Sequence, residues 1–442
     1  MLRIEADTQM NLWETVLPAE IFKLNEELTK VDALLDDEAF ILPFIEKFSE
    51  RKGRPSVPVE TYLRLMYLKV RYELGYETLV SEVSDSLKWR KFCRIPLEER
   101  VPDSTTLIKL TRKYGETTVS ALNEALIKKA KEERIVRGKK LRVDTTAVAS
   151  DISYPTDADL LADGVDVITR EAGKLAEAGK IKKVRNRTRS AKRRLLDIAK
   201  HVKRRSDAKA EARAITRKIV AIAESAVADV TEALESIKDE GDQTYRKLKK
   251  AVDVTKRIIE QTNKVEAGLA VKERIVSVVD EDARPISRGK REMEFGSKTI
   301  LSETEERIIV DYDVLLGNPN DETLLEGALT RTGNRLGKVP QEVATDRGFA
   351  SPANEAMCVA HGVKRVSLPK RGKLSKKRRI YQQQYWFKRL QRFRAGGEAT
   401  ISLLKRKYGL RRTLLRGHDG AKIWVGLSVL TYNLRRLAVL AG

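Results

Sequence analysis

Between Glu355 and Asp419 the chain holds one acidic side chain, Glu398, set among nineteen Lys and Arg residues from Lys364 to Arg416. A surface that basic attracts phosphate polyanions, and a carboxylate inside it repels them unless a cation compensates it. A divalent metal ion is the simplest such cation. Two further carboxylates fall where chemistry is common. Asp144 lies within the β-branched run Val143-Asp144-Thr145-Thr146. Asp346 ends an apolar run and is followed by Arg347-Gly348-Phe349, a tight exit of the kind that frames a site at a sheet edge. If the strands of Asp144 and Asp346 are neighbours, a helix bearing Glu398 can cross their ends. The three acids could then hold two Mg2+ ions about 3.5–4 Å apart, as phosphoryl transfer requires. Mg2+ prefers carboxylate and water oxygen to imidazole or thiolate, which suits a chain with only three His and two Cys. Each acid also has an ordinary reading. Asp144 can face solvent, Asp346 can cap a helix or close an Asx turn, and Glu398 can pair with Arg394 or Lys405.

The elements that must position these acids follow from hydrophobic spacing. Apolar positions in residues 14–50 and the stripe Val59, Tyr62, Leu63, Met66, Val70 predict helices, with Arg51-Lys52-Gly53-Arg54-Pro55 as punctuation between them. Further helices are expected at Leu79–Leu87, Trp89–Ile95 and Thr105–Tyr114, the last capped by Asp103 or Ser104. Helix, short turn and helix resemble a DNA-binding unit; a bundle that only packs or dimerises has the same pattern. Leu141–Val148 reads as a strand. Residues 157–270 are rich in Ala, Lys, Arg and Glu and predict a long helical hairpin or small bundle. Ile275–Val279, Phe295–Ser302, Arg307–Leu315, Pro340–Ala344 and Val363–Leu368 read as strands. Helices are expected at Asp321–Arg331, Pro352–Ala360, Ser375–Arg394, Glu398–Tyr408 and Ala421–Leu437, with Gly396-Gly397 as a candidate break. The fold class is α/β, a mixed sheet covered by helices.

Composition narrows the partners. The 442 residues carry a net charge of +23, so the partner is acidic. The charge is uneven: residues 1–50 hold twelve acids against four bases, and residues 181–218 hold sixteen bases against three acids. Cys93 and Cys358 are too few for a disulfide framework or a zinc site and read as packed, reduced residues. His201, His361 and His418 show no ligand spacing. The apolar stretch Ile423–Leu440 contains Asn433, Arg435 and Arg436, which argues against a membrane span. No signal peptide is evident at Met1–Leu12, and a soluble, cytoplasmic protein, nucleoid-associated when bound to DNA, is expected.

In their order along the chain, these motifs resemble a DDE transposase of bacterial insertion sequences, with an RNase H-like catalytic core. The family's Y-x2-R-x3-E-x6-K signature is matched by Arg394, Glu398 and Lys405, with Gln391 in the Tyr slot. Val143-Asp144-Thr145-Thr146, followed by Asp151–Asp157, resembles the first catalytic region, and Thr345–Phe349 resembles the second. Arg51–Tyr114, with Pro102-Asp103-Ser104-Thr105-Thr106, looks like the N-terminal domain that accompanies such enzymes. Similarity covers most of the chain outside residues 157–270.

The resemblance implies that Asp144, Asp346 and Glu398 bind two Mg2+ ions, for which Mn2+ can substitute. It implies that Arg394 and Lys405 contact phosphates of the transposon end. The implied layout is an acidic helical segment at 1–50, a helical DNA-binding domain at 51–135, a DDE core at 136–156 and 271–442, and a basic helical insertion at 157–270. Asp144 and Asp346 are 202 residues apart, and Asp346 and Glu398 only 52, so the insertion falls between the first two acids. Its residues Arg185, Arg187, Arg189, Lys192, Arg193 and Arg194 are candidate DNA contacts, or else a solvated helix face. The partners expected are double-stranded DNA, as transposon ends and target, and a second copy of the chain. A structure-specific nuclease that cuts without joining is the second enzymatic reading. A non-enzymatic basic DNA- or RNA-binding protein is the third.

Overall fold

A computed structural model describes residues 3–5, 16, 18–45, 47, 55–202, 208–235, 242–288, 292–370 and 372–440. The punctuating residues Arg51–Arg54 and the end of the basic block at Lys203–Arg205 lie outside the described residues. The chain divides into two compact units, residues 1–149 with 297–442, and residues 150–296.

The first unit opens with helices α1 (Glu26–Leu35), α2 (Leu42–Ile45), α3 (Val59–Arg71), α4 (Tyr76–Asp85), α5 (Leu87–Phe92) and α6 (Ser104–Glu132). Asn25 starts α1 by accepting a hydrogen bond from the Leu28 amide at 2.8 Å, satisfying one of the orphan donors of a helix start. α3 is buried almost throughout. Even Arg64 is fully buried, and Asp32 and Asp36, each 2.6 Å away, compensate its charge. A buried cation left without such partners would cost several kcal/mol. α6 runs well past the predicted Tyr114, because Gly115 at φ 74° turns the chain and a second apolar face continues to Ala130.

The sheet of this unit contains β1 (Lys140–Ser150), the later part of β3 (Glu292–Thr304), β4 (Ile309–Leu315), β5 (Glu342–Thr345), β6 (Arg365–Ser367) and the short β7 (Arg412–Thr413). β3 pairs antiparallel with β4, whereas β1–β5 and β5–β6 are parallel. β3 lies beside β1, and β7 also pairs with β1. Helices α11 (Leu325–Leu336), α12 (Pro352–Ala360), α13 (Lys376–Gln383), α14 (Tyr385–Lys407) and α15 (Gly417–Leu440) follow their strands. α15 is the core helix. Its stripe Ile423, Leu427, Leu430 and Leu434 is buried as expected. Asn433, in the same helix, bonds both the amide and the carbonyl of Ile309 at 3.0 and 2.8 Å. That polar residue is therefore satisfied by a strand, the condition for keeping it inside a core. Among the described residues, no helix is long and apolar enough to cross a membrane. Cys93 and Cys358 are both free and buried.

Among the described residues, the second unit contains four helices, α7 (Asp157–Glu177), α8 (Thr188–Val202), α9 (Ala208–Glu235) and α10 (Gln243–Glu266). Leu161, Ile168, Ile219, Val227, Leu248 and Ile258 form its core. Gly164 lets α7 and α10 approach closely, since a Cβ there would stand 2.6 Å from Thr255 Oγ1. β2 (Arg284–Arg288) pairs antiparallel with the first residues of β3. Ile275–Val279, expected as a strand, is irregular. Its apolar residues Ile275 and Val278 pack into the helical core. Gln261 takes both backbone groups of Ile275 in place of a neighbouring strand, at 2.8 and 3.3 Å.

Candidate active site

The parallel register of β1 and β5 runs Lys140 with Glu342, Leu141 with Val343, Arg142 with Ala344 and Val143 with Thr345. The residue that follows Val143, and the one that follows Thr345, is an aspartate. Asp144, inside β1, and Asp346, the first residue past the end of β5, therefore stand at the same level, and neighbouring strands are about 4.8 Å apart. Asp346 is extended and accepts the Gly348 amide at 2.7 Å, the Asx turn that starts the exit loop. Asp144 accepts the Thr145 amide at 2.9 Å.

Glu398 reaches this point on α14. Arg394 spans the two sides, with its guanidinium 3.6 Å from Asp144 Oδ2 and 2.8 Å from Glu398 Oε1. Glu398 is thus an ion-pair partner of Arg394, one of its ordinary readings, and it is also on the same cluster as Asp144. Burial pushes the Asp144 carboxyl up to about 6. The charge of Asp346 adds to that rise, Arg394 opposes it, and Glu398 contributes further repulsion. Among the described residues, no three His, Cys, Asp or Glu side chains stand in a ready metal cage; the Arg394 guanidinium lies between two of the carboxylates. The donor set nevertheless suits a hard cation. It consists of carboxylate oxygens without thiolate or imidazole, and Asp144 sits where added positive charge relieves its cost.

A fourth carboxylate, Asp321, belongs to this cluster. It follows β4 in a short turn of helix, accepts Thr145 Oγ1 at 3.1 Å, and pairs with Lys298 on β3 at 2.7 Å. Gly348 is the reason it fits: a Cβ there would collide with Asp321 Oδ2 and come within 2.9 Å of Asp346 Oδ1. Sequence spacing gave no sign of Asp321, because nothing local distinguishes it from the acids that begin many helices.

The helix under Glu398 is positioned by a buried ion pair. Arg142, two residues before Asp144, bonds Glu303 of β3 through Nε at 2.8 Å and Nη2 at 2.6 Å. Its Nη1 donates to the Phe393 carbonyl at 2.8 Å, and its guanidinium stacks 4.9 Å from the Phe393 ring. Thr400 completes the network by donating to Glu303 at 2.8 Å. Gly396 and Gly397 do not break α14, which is continuous from Tyr385 to Lys407. They are close-approach residues: a Cβ on Gly396 would stand 2.8 Å from Arg142 Nη1, and one on Gly397 3.1 Å from Arg142 Cδ. The break falls earlier, at Gln384, whose ψ of 142° separates α13 from α14. Gln391 bolts α14 to the strand ends, with Nε2 bonding the Ser367 carbonyl and hydroxyl at 2.9 Å each and the Thr345 carbonyl at 3.3 Å.

Lys405 lies on the same helix seven residues beyond Glu398, about two turns on. The six basic residues of the predicted insertion lie in the other unit, on and just before α8. Arg187 is tied there to Asp229, Lys192 to Asp166 and Arg194 to Asp197; Arg185, Arg189 and Arg193 are exposed.

The cluster thus brings together an aspartate of β1, an aspartate just past the end of β5 and, through Arg394, a glutamate of α14. Residues 18–113 match the family described as transposase domain (DUF772), and residues 246–434 match the transposase DDE domain. The chain belongs to the DDE transposases of insertion sequences. It is similar to the uncharacterized protein ORF8 in the nfe locus of Rhizobium meliloti, at 27% identity over 143 residues, which span 31% of this chain and 67% of that protein. No solved structure matches the chain.

Proposed function

We propose that this transposase binds the terminal inverted repeats of an insertion sequence and catalyses DNA cleavage and strand transfer with two Mg2+ ions, or Mn2+ in their place. Asp144, Asp346 and Glu398 hold the metals in this reading. The observation that carries it is the β1–β5 register, which brings Asp144 and Asp346 side by side, with Arg394 linking Asp144 to Glu398. When bound, the metal pair lowers the pKa of the attacking hydroxyl and stabilises the leaving 3′-oxygen. The chain's own residues then orient the DNA. Arg394 turns from the carboxylates toward a phosphate of the transposon end, and Lys405 contacts another phosphate farther along the same helix. Asp321, bonded to Thr145 and packed against Gly348, borders the loop that carries Asp346.

The strand order β4-β3-β1-β5-β6, with an antiparallel pair at one side and parallel pairs at the other, supports the RNase H-like reading of the core. Residues 51–135 serve as the helical DNA-binding domain in this reading, and residues 1–50 as an acidic segment before it. The 157–270 insertion is a basic helical accessory in which Arg185, Arg187, Arg189, Lys192, Arg193 and Arg194 face DNA. Pairing two transposon ends calls for at least a homodimer in the working complex, acting in the cytoplasm at the nucleoid.

The test is Glu398→Gln. The neutral amide keeps the size of the side chain and loses the metal-binding charge. Divalent-dependent nicking and strand transfer of pre-cleaved ends should vanish while binding to end DNA persists. Strand transfer at the wild-type level by this variant overturns the assignment. A wild-type protein that nicks but never joins is a nuclease instead.

A further inference from the structure

Lys69 is a cation buried deep in the first unit, only 3% exposed. Its ammonium lies between two aromatic faces, 4.6 Å from the Tyr76 ring and 4.5 Å from the Trp424 ring. Among the described residues no carboxylate pairs with it. Burial alone drives its pKa down to about 8, so no neighbouring charge helps it keep its proton. A long amine used purely for packing is better replaced by an apolar residue, and this one borders a cavity of about 220 Å³. The other walls of that cavity include Gly75, Tyr408, Arg411, Arg412 and Trp424, with the exposed Glu73 at its rim.

Two further features of the cavity favour an anion. Gly75 is the N-cap of the ten-residue helix α4 and supplies no side-chain cap, so the first amides of that helix are left to a ligand or water. Arg411 and Arg412, both with exposed side chains, add two more positive charges to its lining. The cavity also has a fixed relation to the catalytic strand, because the Arg411 carbonyl accepts the Ala149 amide at 3.2 Å. Ala149 is five residues beyond Asp144 on β1, or about 17 Å at strand rise.

We propose that the cavity beside Lys69 seats a backbone phosphate of the DNA, away from the phosphate at the carboxylate cluster, with Lys69, Arg411 and the N-terminus of α4 as its ligands. This rests on the reading of the chain as a transposase and adds a contact made by its N-terminal helices, α3 and α4, together with the segment after α14. The phosphate restores to Lys69 the counter-charge it lacks. The aromatic walls keep water away from the pair, which strengthens it.

The experiment uses the full-length protein and a short DNA duplex, with the salt dependence of binding measured for wild type, Lys69→Met and Arg411→Gln. Arg411 has an exposed side chain and acts in the sheet only through its carbonyl, so its variant should fold even if Lys69→Met does not. Each variant should reduce the slope of log K against log salt by about 0.9, the value of one lost phosphate contact. Ethylation of single phosphates, scanned along the duplex, should reveal one position away from the nick that interferes with binding by wild type and not by the variants. Unchanged slopes with intact divalent-dependent nicking overturn the phosphate seat and leave the transposase reading standing. Absence of nicking by wild type overturns that reading instead. Stabilisation by inorganic phosphate or pyrophosphate, lost in the variants but without any change in DNA slope, overturns DNA as the source of the phosphate.

Discussion

The pair Arg142–Glu303 should decide both whether the first unit stays folded and whether Glu398 reaches the aspartates. Both side chains are only 6% exposed. Arg142→Met removes two charge-assisted bonds to Glu303 and the bond to the Phe393 carbonyl, leaving a buried carboxylate with the Thr400 hydroxyl and the weaker pull of Arg307. Burial already raises the Glu303 pKa above its ordinary range, although Arg142 and Thr400 oppose the rise, so the orphaned charge is expensive. Breaking a buried pair from one side costs about 3–5 kcal/mol. The double variant Arg142→Met/Glu303→Leu leaves no orphaned charge and loses the network's hydrogen bonds, at a cost of roughly 1–2 kcal/mol. The singles should therefore be strongly non-additive. All four Trp residues fall outside residues 150–296, so urea unfolding followed by Trp fluorescence reports the first unit alone. The folded double variant should still nick DNA about 100-fold more slowly, because α14 no longer has its anchor on β1 and an error near 1 Å is costly in a catalytic site. Additive single effects, or a double variant that nicks at the wild-type rate, would refute the positioning argument.

Gly348→Ala should reduce nicking at least about tenfold while the protein remains folded. The new methyl group forces Asp321 and Asp346 apart in an exit loop rather than in the core, and wild-type nicking by the alanine protein would show that the loop absorbs it. Lys69 supplies a pH test of stability. Its folded pKa near 8 lies below the ordinary 10.5, so the unfolded chain binds more protons between those values and stability rises with pH across that window. Relative to Lys69→Met, the wild type should gain up to about 3 kcal/mol from pH 8 to 10.5. Denaturant midpoints that keep a constant difference over the window contradict a desolvated ammonium.

The sequence by itself marks the candidate acids of the site and the helices that carry the core. A lone acid among nineteen bases, an aspartate inside a β-branched run and another before Arg-Gly are local signals, and so are the helical stripes of α3 and α15. These are legible because charge and periodicity act over a few residues. The strand expected at Ile275–Val279 failed for the complementary reason. Its pattern is that of a buried extended segment, and whether a strand or a glutamine side chain takes its backbone bonds depends on a partner elsewhere in the chain. Gly396-Gly397 likewise looked like a helix break, since glycine's usual meaning is conformational freedom. The reason for those glycines is the Arg142 guanidinium, 254 residues upstream of Gly396. Asp321, Lys298 and the buried Lys69 carry no local mark at all. Only the folded chain decides which carboxylate meets which cation, because Coulomb energy and burial depend on separations that sequence distance does not encode.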